Sequence, residues 1–545
     1  MADYAFGAFI IEILTTAMYS DSKVIYREYI QNACDAIDEA EKRGILRARN
    51  PKSKYPDLGE GKINIWLYPD KRYIVIEDNA TGIKASEFEY TLKKIADSSK
   101  NIGESKGFRG IGRLLGFAYC KTVVFTSRWI DEDVVSIMTC DALKMREMIT
   151  EASTKVRNHS AVDVLNAISE FTTRPVNQKE PEHFFRVELI DINDENEGLF
   201  GGRDEDNIEQ LTDYLSFVAP VPYQADFLYR VEIYEHARKL NTRINEYDIR
   251  INGEQVFKKY KTHLKTGNGQ DEVFGVEFYD FRDDNDVLIG WLWFGISTFK
   301  AAIKEEEISR GLRLRKENIQ IGEDDVLRNM FTREASKRGN NYFIGEVFAT
   351  SCDLIPNSHR SYFNENPVRI DFEHRLKDYF NNTLYFIYYE GSDINSSIKK
   401  INSYVEKAKE FEEKTSEGGF LSDREREREQ SDLEAKKQGA KNAKKNLEKK
   451  KESGRSILTS QIIKRRIEEI KTVPAAAPKE SSVVVNTAPA NLPKKFLVDS
   501  MFPQYNKNER KLMSEMLDQI FTIIQKSADK KTSAAIINRI KDELK

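Results

Sequence analysis

The sequence has few of the residues that hold small secreted domains together or mark membrane proteins. Its 545 residues include only four cysteines and 14 prolines. The cysteines lie far apart without a CxxC pair, which excludes a disulfide framework and argues against zinc; they are Cys34, Cys120, Cys140 and Cys352. No apolar run approaches the roughly 18 residues of a membrane span, and no basic region precedes a hydrophobic one at the N-terminus. We therefore expect reduced thiols and a cytoplasmic protein without membrane contact.

The chain also lacks a large excess of charge of either sign. It has 85 Lys and Arg against 89 Asp and Glu, a net charge of −4. The whole molecule thus carries no polyanion-binding signature, and any such signature must be local. At roughly 100–200 residues per domain, the length predicts several folded units.

Composition and periodicity divide the chain into five parts of an α+β protein. They are an α/β domain over 1–200, a second α/β domain over 201–395, a charged helical or coiled-coil segment over 396–471, a Pro- and Ala-rich linker over 472–495 and a small helical domain over 496–545. Residues 63–67 and 73–76 predict a β-hairpin. In the second domain, residues 229–234 and 287–294 are strand candidates.

The first motif is a polar helix face in residues 27–36. On a helix advancing about 100° per residue, Glu28, Asn32 and Asp35 lie within about 60° of one another, opposite an apolar stripe. A carboxylate such as Glu28 can act as a general base toward water, and the amide oxygen of Asn32 suits Mg²⁺ bound to phosphates. A polar face of this kind also occurs simply as solvated surface.

The second motif is an aspartate at the end of an apolar strand. Asp78 is followed by a tight turn that contains Gly82. A carboxylate fixed there can accept a hydrogen bond from an exocyclic amine such as that of adenine, and glycine lets the backbone approach a flat ring. The same pattern also fits an aspartate that caps its own turn.

The third motif is a glycine-rich loop over residues 103–116 that runs into an apolar helical segment. Its glycines include Gly107, Gly110 and Gly112. Exposed N–H groups at such a turn bind phosphate oxygens. The string is neither a Walker A loop, because no Gly-Lys-Ser/Thr follows, nor a Rossmann turn, because no strand immediately precedes it.

In this order and spacing, the three motifs resemble the sequence boxes of the GHKL ATPase superfamily, which has the Bergerat fold. The match is closest to the 90-kDa heat-shock chaperones, whose first helix box resembles residues 18–36. The resemblance implies a Bergerat-type ATP-binding α/β sandwich, an α/β middle (transducer) domain and a helical, charged C-terminal region. It also implies ATP and Mg²⁺ as ligands, and a homodimer.

The resemblance implies residue roles by position. Glu28 would be the general base of hydrolysis and Asn32 the Mg²⁺ ligand, with Asp35 a further nucleotide-binding residue. Asp78 would read the adenine, and Gly82 would belong to the turn of the adenine pocket.

The glycine loop would form a phosphate-facing lid through Gly107, Gly110 and Gly112. Two residues depart from the chaperone pattern. Ala80 stands where the family usually has the first glycine of its turn, and Arg113 replaces the aromatic residue that commonly ends the lid motif. Residues 107–110 look more like those of mismatch-repair MutL.

The second α/β section has its own marker in residues 353–360. This segment is similar to the chaperone middle-domain segment whose arginine reaches the γ-phosphate, so Arg360 is expected to stabilise charge on the transferring phosphoryl group. Closely spaced cations in residues 310–318 form a second candidate for contact with nucleotide or a partner.

The expected function is that of an ATP-dependent conformational-clamp ATPase with lid closure and N-terminal dimerisation. The alternative is a nucleic-acid clamp ATPase related to MutL or MORC proteins, within bacterial antiviral or genome defence. Residues 435–466 carry twelve Lys and Arg against two Glu, a net of +10, although no aromatics interleave to stack bases. A third hypothesis is a nucleotide-gated scaffold without turnover. The client protein cannot be named from the sequence.

Overall fold

The computed structural model describes most of the chain. The described residues are 6–15, 21–50, 52–95, 112–154, 158–201, 207–267, 269–452, 457–467, 470, 517, 520, 524 and 530–543. They belong to two compact units, residues 1–389 and 390–545. The first unit is a mixture of helices and sheets and the described part of the second is helical, as the sequence predicted.

The first unit begins with an eight-stranded sheet. Its strands are β1 (Lys62–Tyr68), β2 (Tyr73–Asp78), β3 (Cys120–Arg128), β4 (Val134–Asp141), β5 (Ser169–Pro175), β6 (Phe184–Ile192), β7 (Asp248–Ile251) and β8 (Glu254–Gln255). Their order is β5-β4-β3-β6-β2-β1-β7-β8. All neighbours are antiparallel except β1 and β7, which are parallel. The predicted hairpin is confirmed as β1 and β2, joined by the 3₁₀ turn Pro69–Lys71.

Helices pack on this sheet and form an α/β sandwich. They are α1 (Phe9–Thr15), α2 (Val24–Lys42), α3 (Ala85–Lys93), α4 (Ala142–Ser153), α5 (Ala161–Ile168), α6 (Asn207–Val218) and the 3₁₀ helix Gly112–Ala118. The apolar stripe of α2 lies in the core, where Ile30, Ala33 and Ile37 share a cluster with Ile63 and Ile76 of the first hairpin. This burial fixes which face of α2 remains for a ligand.

The first sheet extends beyond the domain boundary that we predicted at residues 200/201. Strands β7 and β8 come from the second predicted domain and continue the sheet from β1. In the register, Lys62 pairs with Asp248 and Ile65 with Ile251. The boundary itself stays a prediction, but residues on both sides of it share one sheet.

A five-stranded sheet follows in the same unit. Its strands are β11 (Gly275–Arg282), β12 (Leu288–Ile296), β13 (Gly311–Lys316), β14 (Ile319–Ile321) and β15 (Ile344–Ala349), and a separate hairpin is formed by β9 (His263–Thr266) and β10 (Gly269–Glu272). The order of the larger sheet is β11-β12-β15-β13-β14. The strand predicted at 287–294 is confirmed as β12.

The strand predicted at residues 229–234 is wrong, because the chain there enters helix α7 (Arg230–Lys239). Alternating apolar residues suggested a strand, but the buried residues are Ile233, Tyr234 and Ala237. These three lie on one side of a helix and join the core beside the second sheet. The helical period therefore decides the local structure. Helix α8 (Pro367–Tyr379) completes this part, with Asn366 capping its N-terminus.

The described part of the second unit includes a helical hairpin. Helix α9 (Tyr385–Ser416) enters it, and α10 (Asp423–Glu452), α11 (Ile457–Ile467) and α12 (Lys530–Glu543) follow. Asp393 contacts Asn446 and Lys407 contacts Glu429, so α9 and α10 run antiparallel. Gly418, with φ +63°, lies in the turn between α9 and α10, and the predicted linker over 472–495 lies outside the described residues. Within the described part of the chain, no helix is both long and apolar enough to span a bilayer.

A fully buried ion cluster lies in the second sheet and corrects one prediction. The segment 310–318 was expected to contact nucleotide or a partner, but its cations Arg313, Arg315 and Lys316 lie in β13, which is buried along its whole length. Arg315 Nε donates to Glu346 Oε1 over 2.7 Å, and Lys258 Nζ donates to Glu346 Oε2 over 3.0 Å. Burial alone would raise the pKa of Glu346, but Arg315 and Lys258 hold it at about 2. Glu346 is therefore the internal anion for Arg315, whereas Arg313 donates to the side chain of Gln320 and Lys316 to the carbonyl of Ser351.

Glu246 is a second buried carboxyl close to this cluster, and it has a different charge state. Tyr234 donates a hydrogen bond to its Oε1 over 2.8 Å. Burial raises the pKa of Glu246 from 4.5 to about 8. The folded protein therefore keeps this carboxyl protonated at neutral pH, while the unfolded chain ionises it.

We predict that Glu246 makes stability fall with rising pH. Below about pH 4.5 both states are protonated, and between about 4.5 and 8 only the unfolded state ionises, so stability is lost over that window. Glu246→Gln imitates the protonated form and removes this loss. Its unfolding free energy relative to wild type should rise by up to about 1.4 kcal/mol per pH unit.

Denaturant unfolding at several pH values across this window measures the difference. Glu235→Gln, at a half-exposed position on α7, is the matched control and should show a constant difference from wild type. A constant difference for Glu246→Gln as well would contradict the prediction.

Candidate functional site

Helix α2 presents three of the predicted site residues together. Glu28, Asn32 and Asp35 are all partly exposed, whereas the residues of the opposite stripe are buried. The predicted helix and its two faces are therefore present. The face is not an ordinary solvated surface, because the side chain of Glu28 is only 14% exposed.

Glu28 lies between a cation and the end of the glycine loop. Arg27 Nε lies 3.6 Å from Glu28 Oε1. A Cβ built on Gly112 would lie 2.9 Å from Glu28 Oε2, so a larger residue would displace the carboxylate. The C-terminal end of the predicted lid thus packs directly on the predicted base. Gly107 and Gly110 lie outside the described residues.

Tyr29 anchors the segment that follows the loop, a role that the sequence did not reveal. Its hydroxyl donates to the carbonyl of Arg113 over 3.1 Å and accepts from the amide of Gly116 over 3.2 Å. Burial raises the pKa of Tyr29, so the hydroxyl stays neutral and keeps its proton to donate. These two bonds fix the 3₁₀ helix Gly112–Ala118 to α2.

Arg113, which departs from the chaperone pattern, points toward α3. Its Nη1 donates to the carbonyl of Thr91 over 2.9 Å. Burial lowers its pKa to about 10, which still leaves the guanidinium charged at neutral pH. Arg113 therefore ties the end of the loop to the C-terminal part of α3 and takes the place of an aromatic packing residue.

Asp78 ends strand β2 in a buried turn. Its Oδ1 accepts from the amide of Ala80 over 3.0 Å, so the turn-capping interpretation holds for this oxygen. The carbonyl of Ala80 accepts from His183 Nδ1 over 2.6 Å, which fixes the turn from the other side. Asp78 is only 4% exposed, and the bond from Ala80 orients its carboxylate. Its role as the adenine reader stays a prediction.

Gly82 occupies a position that only glycine accepts without strain. Its φ is +66°, and a Cβ there would overlap the carbonyl oxygen of Arg128. The backbone of this turn consequently packs against β3. The sequence predicted a glycine at position 82 because it lets the backbone approach a flat ring. The structure shows that the fold also requires glycine at this position.

Arg360 lies in a turn that contacts α2. Its side chain is buried and its φ is +51°. Its amide donates to Asn357 and its carbonyl accepts from Gly322. Arg27 Nη2 donates to the carbonyl of His359 over 3.2 Å, across 332 positions of sequence. The residue before Arg360 is thus bonded to the residue before Glu28.

The residues present fit a magnesium nucleotide. Carboxylate and amide oxygens line one face of α2, a Cβ at Gly112 would fill space beside Glu28, and the glycine turn follows Asp78 closely. Within the described residues, no group of three or more His, Cys, Asp or Glu could hold a metal ion. A site with Asn32 as the protein ligand suits Mg²⁺, which is commonly bound through few protein groups together with water and phosphates.

Comparison with known families assigns the class of the N-terminal region. Residues 19–172 match the family model described as "Histidine kinase-, DNA gyrase B-, and HSP90-like ATPase". The region is therefore a GHKL-type ATPase domain, and the resemblance carried by the three motifs is confirmed.

Within this class, the chain is similar to bacterial chaperones. It is 31% identical over 131 residues to the chaperone protein HtpG of Psychrobacter arcticus. The aligned stretch covers 22% of this chain and 19% of that protein. It is 30% identical over 175 residues to the chaperone protein HtpG of Rickettsia canadensis. That aligned stretch covers 30% of this chain and 27% of that protein. The chain thus spans about a fifth to a quarter of the length of these curated relatives.

We predict that Gly82→Ala destabilises the first unit by more than the cost of its backbone angle. That angle alone costs an alanine about 1–2 kcal/mol, and the overlap with the Arg128 carbonyl adds to it. Thermal unfolding of the purified chain measures the loss. Gly44→Ala is the matched control, because Gly44 has φ +73° and open space around its Cβ position. Equal losses of stability for the two variants would contradict the prediction, because they would show that the turn can shift to accommodate the added Cβ.

Proposed function

We propose that this chain hydrolyses ATP with Mg²⁺ and uses the reaction to drive a conformational clamp. One observation carries the proposal: Arg27 joins the helix of the predicted base to the turn that holds Arg360, through its bond to the His359 carbonyl. The two groups expected to act on the γ-phosphate therefore belong to connected parts of one unit. The GHKL-type domain supplies the class of reaction.

In this proposal each residue has a distinct task. Asp78 accepts a hydrogen bond from the adenine amine, and the amide oxygen of Asn32 would be the protein ligand of Mg²⁺. Bound Mg²⁺ would neutralise phosphate charge as a Lewis acid. Glu28 accepts a proton from the attacking water, and Arg360 stabilises the charge that develops on the phosphoryl group.

The proposed reaction balances without any further reagent. The water oxygen forms a bond to the γ-phosphorus while the bond from that phosphorus to the β,γ-bridging oxygen breaks. The electron pair of the broken bond stays with ADP, and one proton of the water passes to Glu28. Glu28 is suited to this role, because its carboxylate is only 14% exposed and lies beside Arg27 and the glycine at the end of the loop.

The proposed clamp consists of two movements, lid closure and N-terminal dimerisation. Lid closure would move the loop that contains Gly107 and Gly110, with its end fixed to α2 by Tyr29. N-terminal dimerisation would then commit the bound nucleotide to hydrolysis. The relatives are chaperone proteins, and this similarity supports a protein client.

We predict that Glu28→Ala strongly lowers kcat while ATP binding remains. Loss of a general base typically lowers kcat by about 10²–10⁴-fold, whereas the adenine and phosphate contacts are unchanged. Phosphate release measures kcat, and calorimetry with a non-hydrolysable ATP analogue measures affinity. Glu39→Gln, on the same helix but half-exposed, is the control and should retain wild-type activity.

The same assay tests Arg360. Arg360→Ala should lower kcat by about 10²-fold or more, because it removes a charge that acts mainly in the transition state. Turnover at the wild-type rate by the Glu28 variant would remove Glu28 from the mechanism. Unchanged turnover by the Arg360 variant would show that Arg360 takes no part in hydrolysis and that the N-terminal domain alone forms the catalytic site.

The second candidate function is the nucleic-acid clamp, and α10 provides a specific observation for it. Five lysines follow one another at helical spacing, and all are exposed; we call Lys437, Lys441, Lys444, Lys445 and Lys449 the lysine stripe. Among the described residues, none of the five has an acidic partner, although Lys450 pairs with Asp393. Unpaired lysines in a row can contact successive phosphates.

We predict that the lysine stripe, if this function holds, causes salt-sensitive binding of duplex DNA. Changing all five lysines to Gln should weaken binding and reduce the slope of log K against log salt by up to about 4. Gel shifts over a salt series measure both. The control changes Arg424, Arg426 and Arg428, exposed cations on the acidic half of the same helix, to Gln. Equal binding by the two variants would end this proposal.

A further inference from the structure

Gln31 is a buried side chain whose hydrogen-bonding capacity is not used. It is 1% exposed. Within the described residues, neither its Nε2 nor its Oε1 has a hydrogen-bond partner. A buried donor or acceptor left unpaired costs about 1–3 kcal/mol, so an amide with both atoms unpaired needs a reason.

The position of Gln31 on α2 indicates what the amide can reach. It is one turn from Glu28, and residues three apart on a helix have Cβ atoms about 5–6 Å apart. It is also one turn from Arg27, which is bonded to the His359 carbonyl. Gln31 therefore lies between Glu28, on the face proposed to bind the nucleotide, and the side of α2 from which Arg27 contacts the turn of Arg360.

The chemistry of an amide narrows the choice of ligand. Oε1 needs a donor, and Nε2 needs an acceptor. A phosphate oxygen only accepts and would leave Oε1 unpaired in the core. A water molecule donates and accepts, so it can satisfy both atoms.

We propose that Gln31 holds the water that attacks the γ-phosphate. This inference rests on the proposed ATP hydrolysis. Gln31 orients the water, and Glu28 takes its proton as the oxygen bonds to phosphorus. Glutamine orients an attacking water in the same way in GTPases. The sequence did not predict a water-positioning role for Gln31, because a glutamine on a partly apolar helix face has no distinctive pattern.

Gln31→Met tests the proposal, because methionine has a similar length and helix propensity but no hydrogen-bonding group. We expect kcat to fall about 10- to 100-fold through misplacement of the water. Affinity for a non-hydrolysable ATP analogue should stay within about twofold, and the melting temperature should not fall, because an unpaired amide has been removed. Ile30→Met, at the adjacent buried position, is the control and should retain kcat.

A double variant separates a water-positioning role from a structural one. If both residues act on the same water, adding Gln31→Met to Glu28→Ala should lower kcat no further. Wild-type kcat for Gln31→Met would overturn the proposal, and so would a fall in kcat accompanied by weaker nucleotide binding and a lower melting temperature. If Glu28→Ala is inactive while Gln31→Met is fully active, ATP hydrolysis stands and only the role of Gln31 fails.

Discussion

The geometry of the site depends on a buried guanidinium at the far end of α2. The side chain of Arg49 is 3% exposed and is ion-paired with Asp38 and with Glu41, both on this helix. It also donates to the carbonyl of Glu246 over 3.0 Å and lies over the ring of Tyr247. Removing Arg49 would leave the nearly buried carboxylate of Glu41 without this cation, and breaking a buried ion pair in this way typically costs about 3–5 kcal/mol. The C-terminal half of α2 is therefore tied to the chain just before β7.

Both ends of α2 are consequently held by residues of the second predicted domain. Arg27 at the first turn donates to the His359 carbonyl, and Asp38 near the last turn accepts from the Tyr247 hydroxyl over 2.7 Å. The face with Glu28, Asn32 and Asp35, where we propose that the nucleotide binds, lies between these contacts. Because a helix is stiff along its axis, a displacement of α2 must be matched at both contacts or break one of them. This gives a ligand on that face a direct mechanical route to the turn of Arg360.

The sequence predicted the local parts of this arrangement. The 3.6-residue period separated the faces of α2, and an apolar run ending in Asp78 defined the end of β2, because both features depend only on neighbours in the chain. The contacts that assemble the site were missed. The bond from Arg27 spans 332 positions, and no local pattern encodes such a partner.

The errors have the same origin. The cations of β13 suggested contact with nucleotide or a partner because the anion of Arg315, Glu346, belongs to a strand that pairs with β13 only in the folded sheet. Residues 229–234 looked like a strand because alternation over six residues also occurs at the start of an amphipathic helix. In each case a tertiary contact decides what the local sequence leaves open.

The parallel pairing of β1 with β7 has a practical consequence for dissecting the molecule. A fragment that ends at residue 200 would lack β7, and the backbone of β1 from Lys62 to Ile65 would become a free edge. It would also lose Asn252, whose amide donates to the carbonyl of Ile65 and whose side chain accepts from the amide of Leu67. Unprotected edges recruit other strands and promote aggregation. A soluble nucleotide-binding fragment should therefore extend through β8, to Gln255.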